Sequence, residues 1–365
     1  MSANIHGKAG VRKIMFRGST SPIGLDIGTS QIKLLQLRQK AGTFSVLCRA
    51  VMPTPDSAFA EGRISDPEKI TFKLEQLKKI MNLKGNLVNL CLGPEAHYLR
   101  LIELPSLSKK DLQKTLPFEI EKHFHLKAVK AVYDCCPLAK TNKAPGKGSM
   151  KYILTAAEAE TAATLTGTAE KAGFKPLSLE VSPLSLLRIE ALSANGNPEK
   201  YGSRTKALLD IGYRSSTLLL TGKDKLQYCR QLRIGVFDFL KEVSCGSNIN
   251  FTEAQRYILQ HNALTAGCAL KSAGQLAEQI TGSISYYLEQ SGTDGAEPQL
   301  LSVSGGGASI LGLLNYLQNR LSIKVVLQQL PVFSCSRNGS RVKEPQFNPA
   351  IYATAFGLAL RGWIR

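Results

Sequence analysis

The chain has 365 residues, more than one ordinary domain needs, and 43% of them are hydrophobic, which is enough for two lobes with separate cores. Its 46 Lys and Arg against 28 Asp and Glu give a formal charge of +18, which favours acidic partners or an anionic membrane face. No stretch approaches the roughly 20 apolar residues of a membrane span, and eight scattered cysteines without a C-x-x-C pair fit neither a zinc site nor a disulfide framework.

The first half begins with a basic arm and continues with three predicted strands. Residues 1–22 contain four basic residues and no acid, and they lack the apolar stretch of a secretory signal. A helix is predicted to begin at Asp66, an N-cap residue followed by Pro67. Strands are predicted at Ile23–Ile27, Ile32–Leu37, Phe44–Cys48 and, after this helix, Leu87–Leu92.

The second half repeats the beginning of the first. Leu25-Asp26-Ile27-Gly28 recurs as Leu209-Asp210-Ile211-Gly212, each time where a first strand enters a hairpin. Near the end, the strand Leu300–Val303 is followed by three glycines and by a helix with an apolar face. The other strands of this half are predicted at Ala207–Ile211, Thr217–Leu220 and Leu226–Leu232. The duplication predicts two similar lobes.

The two hairpins have the composition of phosphate-binding turns. After an apolar strand that ends in Asp, Gly lets backbone N–H groups approach a phosphate, and Ser or Thr adds donors. The carboxylate can hold a hydrated Mg²⁺, so Asp26 and Asp210 are the candidate metal residues, acting through water. The cofactor-binding candidates are Asp26, Gly28, Thr29, Ser30 and Lys33 in the first hairpin and Asp210, Gly212, Ser215 and Ser216 in the second.

The glycine run supplies a third element of the predicted site. Gly305, Gly306 and Gly307 lie between a strand and a helix, where a flat backbone surface can receive a base or ribose. Two hairpins followed by a Gly-rich turn resemble the phosphate 1, phosphate 2 and adenosine motifs of the actin, heat-shock chaperone and sugar kinase superfamily. The resemblance implies an α/β, actin-like (ribonuclease H-like) two-lobed fold that binds ATP and Mg²⁺.

Within that superfamily the chain resembles the PilM family of type IV pilus assembly proteins, from Gly24 to Arg361. The segments that carry this resemblance outside the nucleotide motifs are Leu99–Leu126, Leu179–Leu186 and Ala355–Arg361. The resemblance implies a small inserted α+β subdomain and a docking role. In that role, a groove near Leu101 to Glu121, between the insertion and the first lobe, holds the N-terminal peptide of a PilN-like inner-membrane protein.

The domain boundaries follow from the duplication and the resemblance. The protein is expected to be cytoplasmic and peripheral to the inner membrane. Contact with anionic lipid and formation of a homo-oligomer are both compatible with the sequence. The sequence lacks the interleaved basic and aromatic residues that bind nucleic acid, so no nucleic-acid partner is expected. The predicted parts are a basic arm (1–22), the first lobe (23–92), the inserted subdomain (93–178), the lobe crossing and linker (179–204), the second lobe (205–334) and a return to the first lobe (335–365).

One helix departs from the superfamily pattern, in which A-E-x-x-K brings two charged groups to the ribose and base. Here the matching run is Ala254-Gln255-Arg256-Tyr257-Ile258. Gln255 can still bond a ribose hydroxyl, but Ile258 cannot replace an ammonium, so nucleotide affinity is expected to be weakened or lost. Asp210 and Glu180 are the catalytic candidates, and turnover is expected to be slow or absent. A small-molecule kinase and an FtsA-like membrane-associated filament protein remain alternatives, because the same fold supports all three.

Overall fold

The computed structural model describes residues 20–40, 43–81, 83, 85–138, 148–196, 205–222, 225–292, 295–330, 334–335, 348–361 and 363. The predicted basic arm up to residue 19 lies outside the described residues, and so do residues 197–204 of the predicted linker. Among the described helices, none is both long and apolar enough to cross a membrane.

Strands and helices are mixed along the described chain. Up to the lobe crossing they are β1 (Ile23–Ile27), β2 (Gln31–Lys40), β3 (Thr43–Pro53), β4 (Phe59–Ala60), β5 (Arg63–Ile64), α1 (Pro67–Met81), β6 (Leu87–Leu92), β7 (Tyr98–Pro105), α2 (Lys109–Phe124), β8 (Ala131–Pro137), β9 (Ser149–Glu158), α3 (Ala159–Lys171), β10 (Lys175–Val181) and α4 (Ser182–Gly196). The rest are β11 (Lys206–Ile211), β12 (Ser216–Gly222), β13 (Lys225–Leu232), α5 (Val236–Ser247), α6 (Phe251–Gln260), α7 (Leu270–Ser291), β14 (Leu300–Ser304), α8 (Leu313–Leu321), β15 (Lys324–Leu327), β16 (Ser334–Cys335) and α9 (Ala353–Ala359).

The first lobe is a six-stranded sheet with the order β10-β6-β1-β2-β3-β16. Strands β1, β2 and β3 form antiparallel hairpins, whereas β6 and β10 run parallel to β1. Helix α1 begins where the Asp66 carboxylate accepts the Lys69 N–H at 3.2 Å, which satisfies one of the free amides of its first turn. Its residues Ile70, Leu74, Leu77 and Met81, three or four apart, form the buried face.

The second lobe repeats that arrangement. Its sheet has the order β13-β12-β11-β14-β15, in which β11, β12 and β13 are antiparallel and β14 and β15 run parallel to β11. Asp26 and Asp210 occupy equivalent positions, each one residue before the end of the central strand. The duplication predicted from the sequence is therefore a duplication of the sheet, and the fold is actin-like.

The inserted subdomain is smaller than the predicted range 93–178. It consists of the antiparallel sheet β7-β9-β8 and of α2, whose Leu116, Ile120 and Phe124 pack on that sheet. Helix α3 and strand β10 belong to the first lobe, because Leu165 and Ala169 join its core and β10 pairs with β6. The chain therefore leaves and re-enters the first lobe around residues 98–158.

The lobes are connected by α4, which packs against α9. The two helices approach closely at Gly357, where an added Cβ would lie 2.1 Å from the Ser185 carbonyl oxygen. A buried ion pair between Glu190 of α4 and Lys206 of β11 ties the crossing helix to the second lobe. Since α9 also packs on β1, the end of the described chain returns to the first lobe.

Candidate functional site

A cavity of about 270 Å³ lies between the lobes. Both hairpins, the loop after β14 and helix α6 contribute to its walls, so elements far apart in sequence meet there. The predicted site residues that line it are Asp26, Gly28, Thr29, Ser30, Lys33, Asp210, Gly212, Ser215, Gln255, Gly305 and Gly306.

The first hairpin brings a cation and an anion together. Asp26 and Lys33 are paired across β1 and β2, and the Lys33 Nζ lies 3.6 Å from Asp26 Oδ2. The turn closes through the Gly28 N–H, which donates to the Gln31 carbonyl at 3.0 Å. Thr29 and Ser30 form the tip of this turn and line the cavity, so their amides and hydroxyls are potential donors to an anion bound there.

The second hairpin has the same backbone closure with different side chains at its tip. The Gly212 N–H donates to the Ser215 carbonyl at 3.0 Å, so Tyr213 and Arg214 are the counterparts of Thr29 and Ser30. The Arg214 guanidinium lies over the Phe237 ring at 4.1 Å, a cation–π contact. This hairpin therefore presents an aromatic–guanidinium wall where the first presents small polar residues.

Ser216 does not line the cavity. It is fully buried, and its hydroxyl donates to the Ile234 carbonyl at 2.7 Å inside the second lobe. Ser215 and Ser216 are both candidates from the sequence, but the turn closes between Gly212 and Ser215, and β12 begins at Ser216. Only Ser215 of this pair reaches the cleft.

Asp210, the carboxylate of the second hairpin, is held by a hydrogen bond from the neighbouring strand. The Ser304 hydroxyl donates to its Oδ1 at 2.7 Å. Burial raises the pKa of Asp210 above its ordinary value, although the hydrogen bond from Ser304 and the charge of Lys33 act in the opposite direction. The nearby Asp26 charge raises this pKa further. Two neighbouring carboxylates beside an open cavity are the kind of group that holds a hydrated Mg²⁺.

The three glycines of the loop after β14 have different surroundings. Gly305 has φ 84°, and an added Cβ would lie 2.4 Å from the Ile211 carbonyl oxygen. Gly307 is buried, and a Cβ there would lie 2.2 Å from Ile211 Cγ2, so this residue packs against β11 and does not line the cavity. Gly306 has no atom within 4 Å of an added Cβ. The open backbone surface is therefore centred on Gly306.

Helix α6 contributes one polar side chain to the cavity, Gln255, next to the apolar Ile258 and Leu259. The Glu253 carboxylate accepts the Asn250 N–H at 3.2 Å and so caps the helix. Arg256 is exposed and does not line the cavity. Neither of the two charged residues of this helix, Glu253 and Arg256, lines the cavity.

The carboxylate of Glu180 is engaged by two arginines. Its side chain is 2% exposed, and its oxygens accept two hydrogen bonds from Arg188, at 2.9 and 2.8 Å. Arg361 adds a further ion pair to the same carboxylate. A carboxylate held by two guanidiniums is not available as a base, so the interpretation of Glu180 as a catalytic candidate is not supported by its surroundings.

The sequence analysis missed Glu95, which follows β6 in a short 3₁₀ turn at the cavity wall. The Ser215 hydroxyl donates to the Glu95 carboxylate, a hydrogen bond that joins the second hairpin to the first lobe. Gly62 leaves room for this side chain, since an added Cβ would lie 2.3 Å from Glu95 Cβ. A single Glu after a strand has no distinctive pattern, so only the chain's tertiary structure identifies it.

Comparisons with known proteins agree on the fold. The model of the family described as Type IV pilus assembly protein PilM matches residues 24–363. The chain is similar to a solved chain of the PilM-PilN type IV pilus biogenesis complex, with 24% identity, a TM-score of 0.83 and coverage of 94% of this chain and 98% of that chain. It is also similar to ethanolamine utilization protein EutJ from Carboxydothermus hydrogenoformans, with 13% identity, a TM-score of 0.57 and coverage of 96% and 93%.

Proposed function

Because the chain belongs to the PilM family of type IV pilus assembly proteins, we propose that it is a nucleotide-binding scaffold of a type IV pilus or type II-like secretion platform. In this proposal the protein is cytoplasmic and peripheral to the inner membrane. It binds ATP·Mg²⁺ between its lobes and docks the N-terminal peptide of a PilN-like membrane protein. Its function is assembly, with slow or absent turnover of the nucleotide.

The observation that carries nucleotide binding is the pair of Asp-Ile-Gly hairpins facing one cavity, with Lys33 paired to Asp26 and its charge acting on Asp210. Backbone amides of the two turns and the Lys33 ammonium would contact the phosphates. Asp26 and Asp210 would hold Mg²⁺ through its water ligands. The backbone around Gly306 and the Gln255 amide would receive the adenosine.

Slow turnover is supported by the contacts that the candidate carboxylates already make. Of these carboxylates, Asp26, Glu95 and Asp210 line the cavity and Glu180 does not. Glu180 is held by two arginines, and Glu95 accepts a hydrogen bond from Ser215. Asp210 accepts a hydrogen bond from Ser304, and Asp26 is paired with Lys33. A general base needs a carboxylate free to orient and deprotonate a water, and each of these four already has a partner. Nucleotide therefore acts by biasing the separation of the lobes.

The experiment that tests nucleotide binding is calorimetric titration of ATP with Mg²⁺ into the wild type and into Asp26→Asn/Asp210→Asn. Saturable binding by the wild type that is lost in the double variant supports the proposed site. The matched control is Glu75→Gln, which changes an exposed carboxylate on α1 and is expected to bind like the wild type. A folded wild type that binds no ATP·Mg²⁺ contradicts the nucleotide part of the proposal.

Peptide docking is tested separately. A fluorescently labelled synthetic peptide of the cytoplasmic N-terminus of the PilN-like protein from the same organism is titrated with this protein, and its anisotropy is measured with and without ATP·Mg²⁺. Binding that competes with unlabelled peptide, and not with a scrambled peptide, supports docking. A nucleotide-dependent change in affinity would couple the cleft to the peptide groove. No binding under either condition contradicts the docking role.

A further inference from the structure

Helix α2 of the inserted subdomain carries a stripe of lysines with an aromatic residue within it. Lys110, Lys114, Phe118 and Lys122 follow at four-residue spacing and therefore lie along one face of the helix. All four are exposed, and Phe118 is 73% exposed. The opposite face, with Leu116, Ile120 and Phe124, is the one that packs on the subdomain's sheet. The stripe therefore points away from the body of the protein.

A short 3₁₀ turn extends the stripe at its C-terminal end. The Ala128 N–H donates to the Glu121 carboxylate at 3.1 Å, which holds the turn beside the last turns of α2. Val129 in this turn is 90% exposed. Lys127 and Lys130 flank it and are also exposed. We call this surface the α2 face; it comprises Lys110, Lys114, Phe118, Lys122, Lys127, Val129 and Lys130.

The acidic residues of this segment are engaged locally. Asp111 accepts a hydrogen bond from the Ser108 hydroxyl at 2.6 Å at the helix N-cap. The Glu119 side chain is 12% exposed, with His123 at 3.1 Å and Lys122 at 3.8 Å. Glu121 holds the 3₁₀ turn. Asp111 and Glu121 are exposed and keep their charge, so the five lysines of the α2 face outnumber the exposed acids beside them, and the net charge of this surface is positive. Two apolar side chains, Phe118 and Val129, project among the lysines.

We propose that the α2 face docks on an anionic phospholipid surface, with Phe118 and Val129 entering the headgroup region and the lysines contacting lipid phosphates. Isolated, outward-pointing apolar side chains between lysines suit a fluid interface, since lipid can close around each of them. Lysines on such a surface gain attraction from the negative potential of anionic lipid. This inference goes beyond the proposed scaffold function and does not depend on nucleotide binding.

Helix α1 provides an internal comparison for the role of the surrounding charges. Phe72 is 61% exposed, close to the exposure of Phe118, so exposure alone does not distinguish the two rings. On the same face of α1, Glu68 and Glu75 lie four residues before and three after Phe72, and Lys69 lies three before it. At the corresponding positions around Phe118 there is one acid, Glu121, with Lys114 and Lys122, so the two rings differ in the balance of charge around them. Acidic neighbours are repelled by anionic lipid, so Phe72 is the matched control for Phe118.

The proposal is tested with the full-length protein by cosedimentation with vesicles of equal parts phosphatidylglycerol and phosphatidylcholine, and with vesicles of phosphatidylcholine alone. The wild type is expected to bind the anionic vesicles preferentially and to lose binding as salt is added. Lys110→Gln/Lys114→Gln/Lys122→Gln is expected to reduce the partition coefficient by about a hundredfold, on the basis of about fivefold for each lysine. Phe118→Ser is expected to reduce it by about fivefold.

The control variants remove the same number of charges, or the same kind of ring, from other surfaces of the protein. Lys79→Gln/Lys241→Gln/Lys271→Gln removes three exposed lysines from other helices, and Phe72→Ser removes an exposed ring; both are expected to bind like the wild type. An equal loss in both triple variants would overturn the proposal in favour of net charge alone. Undiminished binding by the α2 variant would assign lipid binding to another segment, such as the basic arm. No vesicle binding by the wild type would leave an acidic protein as the occupant and also overturn the proposal.

Discussion

The two hairpins begin with the same four residues and close through the same hydrogen bond, yet they offer different chemistry to the cleft. In the first, Asp26 is paired with Lys33 and the tip consists of two small polar residues. In the second, Asp210 is held by Ser304 and the tip carries Tyr213 and Arg214. The shared backbone is set by Gly and Asp, while the neighbours of each hairpin set what its side chains can do.

The two hairpins differ in the contacts made by their basic and hydroxyl side chains. Lys33 is directed at the cavity and can contact a bound anion. Arg214 has the same charge, but its guanidinium is stacked on Phe237. Ser215 reaches across to Glu95 and so fixes the second hairpin relative to the first lobe. Duplication of a motif therefore does not imply duplication of its function.

The largest expected effect is a loss of stability from a substitution in the loop after β14, which packs against the second hairpin. Gly305→Ala puts a Cβ 2.4 Å from the Ile211 carbonyl oxygen at φ 84°, so we expect a loss of about 3 kcal/mol of unfolding free energy. Urea denaturation followed by circular dichroism measures it. Gly306→Ala is the matched control, with no atom within 4 Å of the added group, and its stability should match the wild type. Similar losses in both variants would contradict this account of the loop.

The next effect sharpens the contrast between the two cations. Lys33→Met removes the ammonium beside both carboxylates, so we expect ATP·Mg²⁺ affinity to fall by about tenfold to a hundredfold, as for loss of a hydrogen bond to a charged group. Arg214→Met should change the affinity much less, because the guanidinium is already engaged by Phe237. Calorimetry on both variants measures the difference. Equal losses would show that both hairpins supply charge to the phosphates.

A smaller effect concerns the contact between the lobes. Glu95→Gln keeps an acceptor for Ser215 and removes a negative charge from the cavity wall, so we expect ATP·Mg²⁺ to bind about fivefold more tightly. Glu75→Gln, at an exposed site on α1, is the control and should have no effect. If Glu95→Gln instead weakens binding, Glu95 belongs with the residues that hold the metal.

The smallest expected effect is a change in Tm that arises from the raised pKa of Asp210. Since burial disfavours the ionised form in the folded protein, the wild type loses stability as the pH rises through the pKa of this carboxyl. In metal-free buffer at pH 7, Asp210→Asn should therefore raise Tm, by on the order of a few degrees. The gain should shrink as the pH falls and disappear below the ordinary value of 3.8, where Asp210 is protonated in both the folded and the unfolded state. Asp26→Asn, which breaks the pair with Lys33, should give no such gain.

Much of the fold could be predicted from local patterns. The strands at Ile23–Ile27 and Leu87–Leu92 have the predicted bounds, and the predicted helix begins at Pro67 with Asp66 as its cap. The repeated Leu-Asp-Ile-Gly correctly indicated two similar lobes. These predictions succeed because strand alternation, helical spacing and capping depend on residues close in sequence.

The tertiary structure decided the role of each side chain around the cavity. The sequence could supply Asp26, Lys33 and Gly306 as candidates, because Asp, Gly and the order of the motifs are local signals. It could not predict that Glu95 meets Ser215, or that two arginines hold Glu180, since those partners are 120, 8 and 181 residues away along the chain. The charge and the hydrogen bonding of a side chain depend on neighbours that only folding brings together. Local sequence patterns do not specify these neighbours.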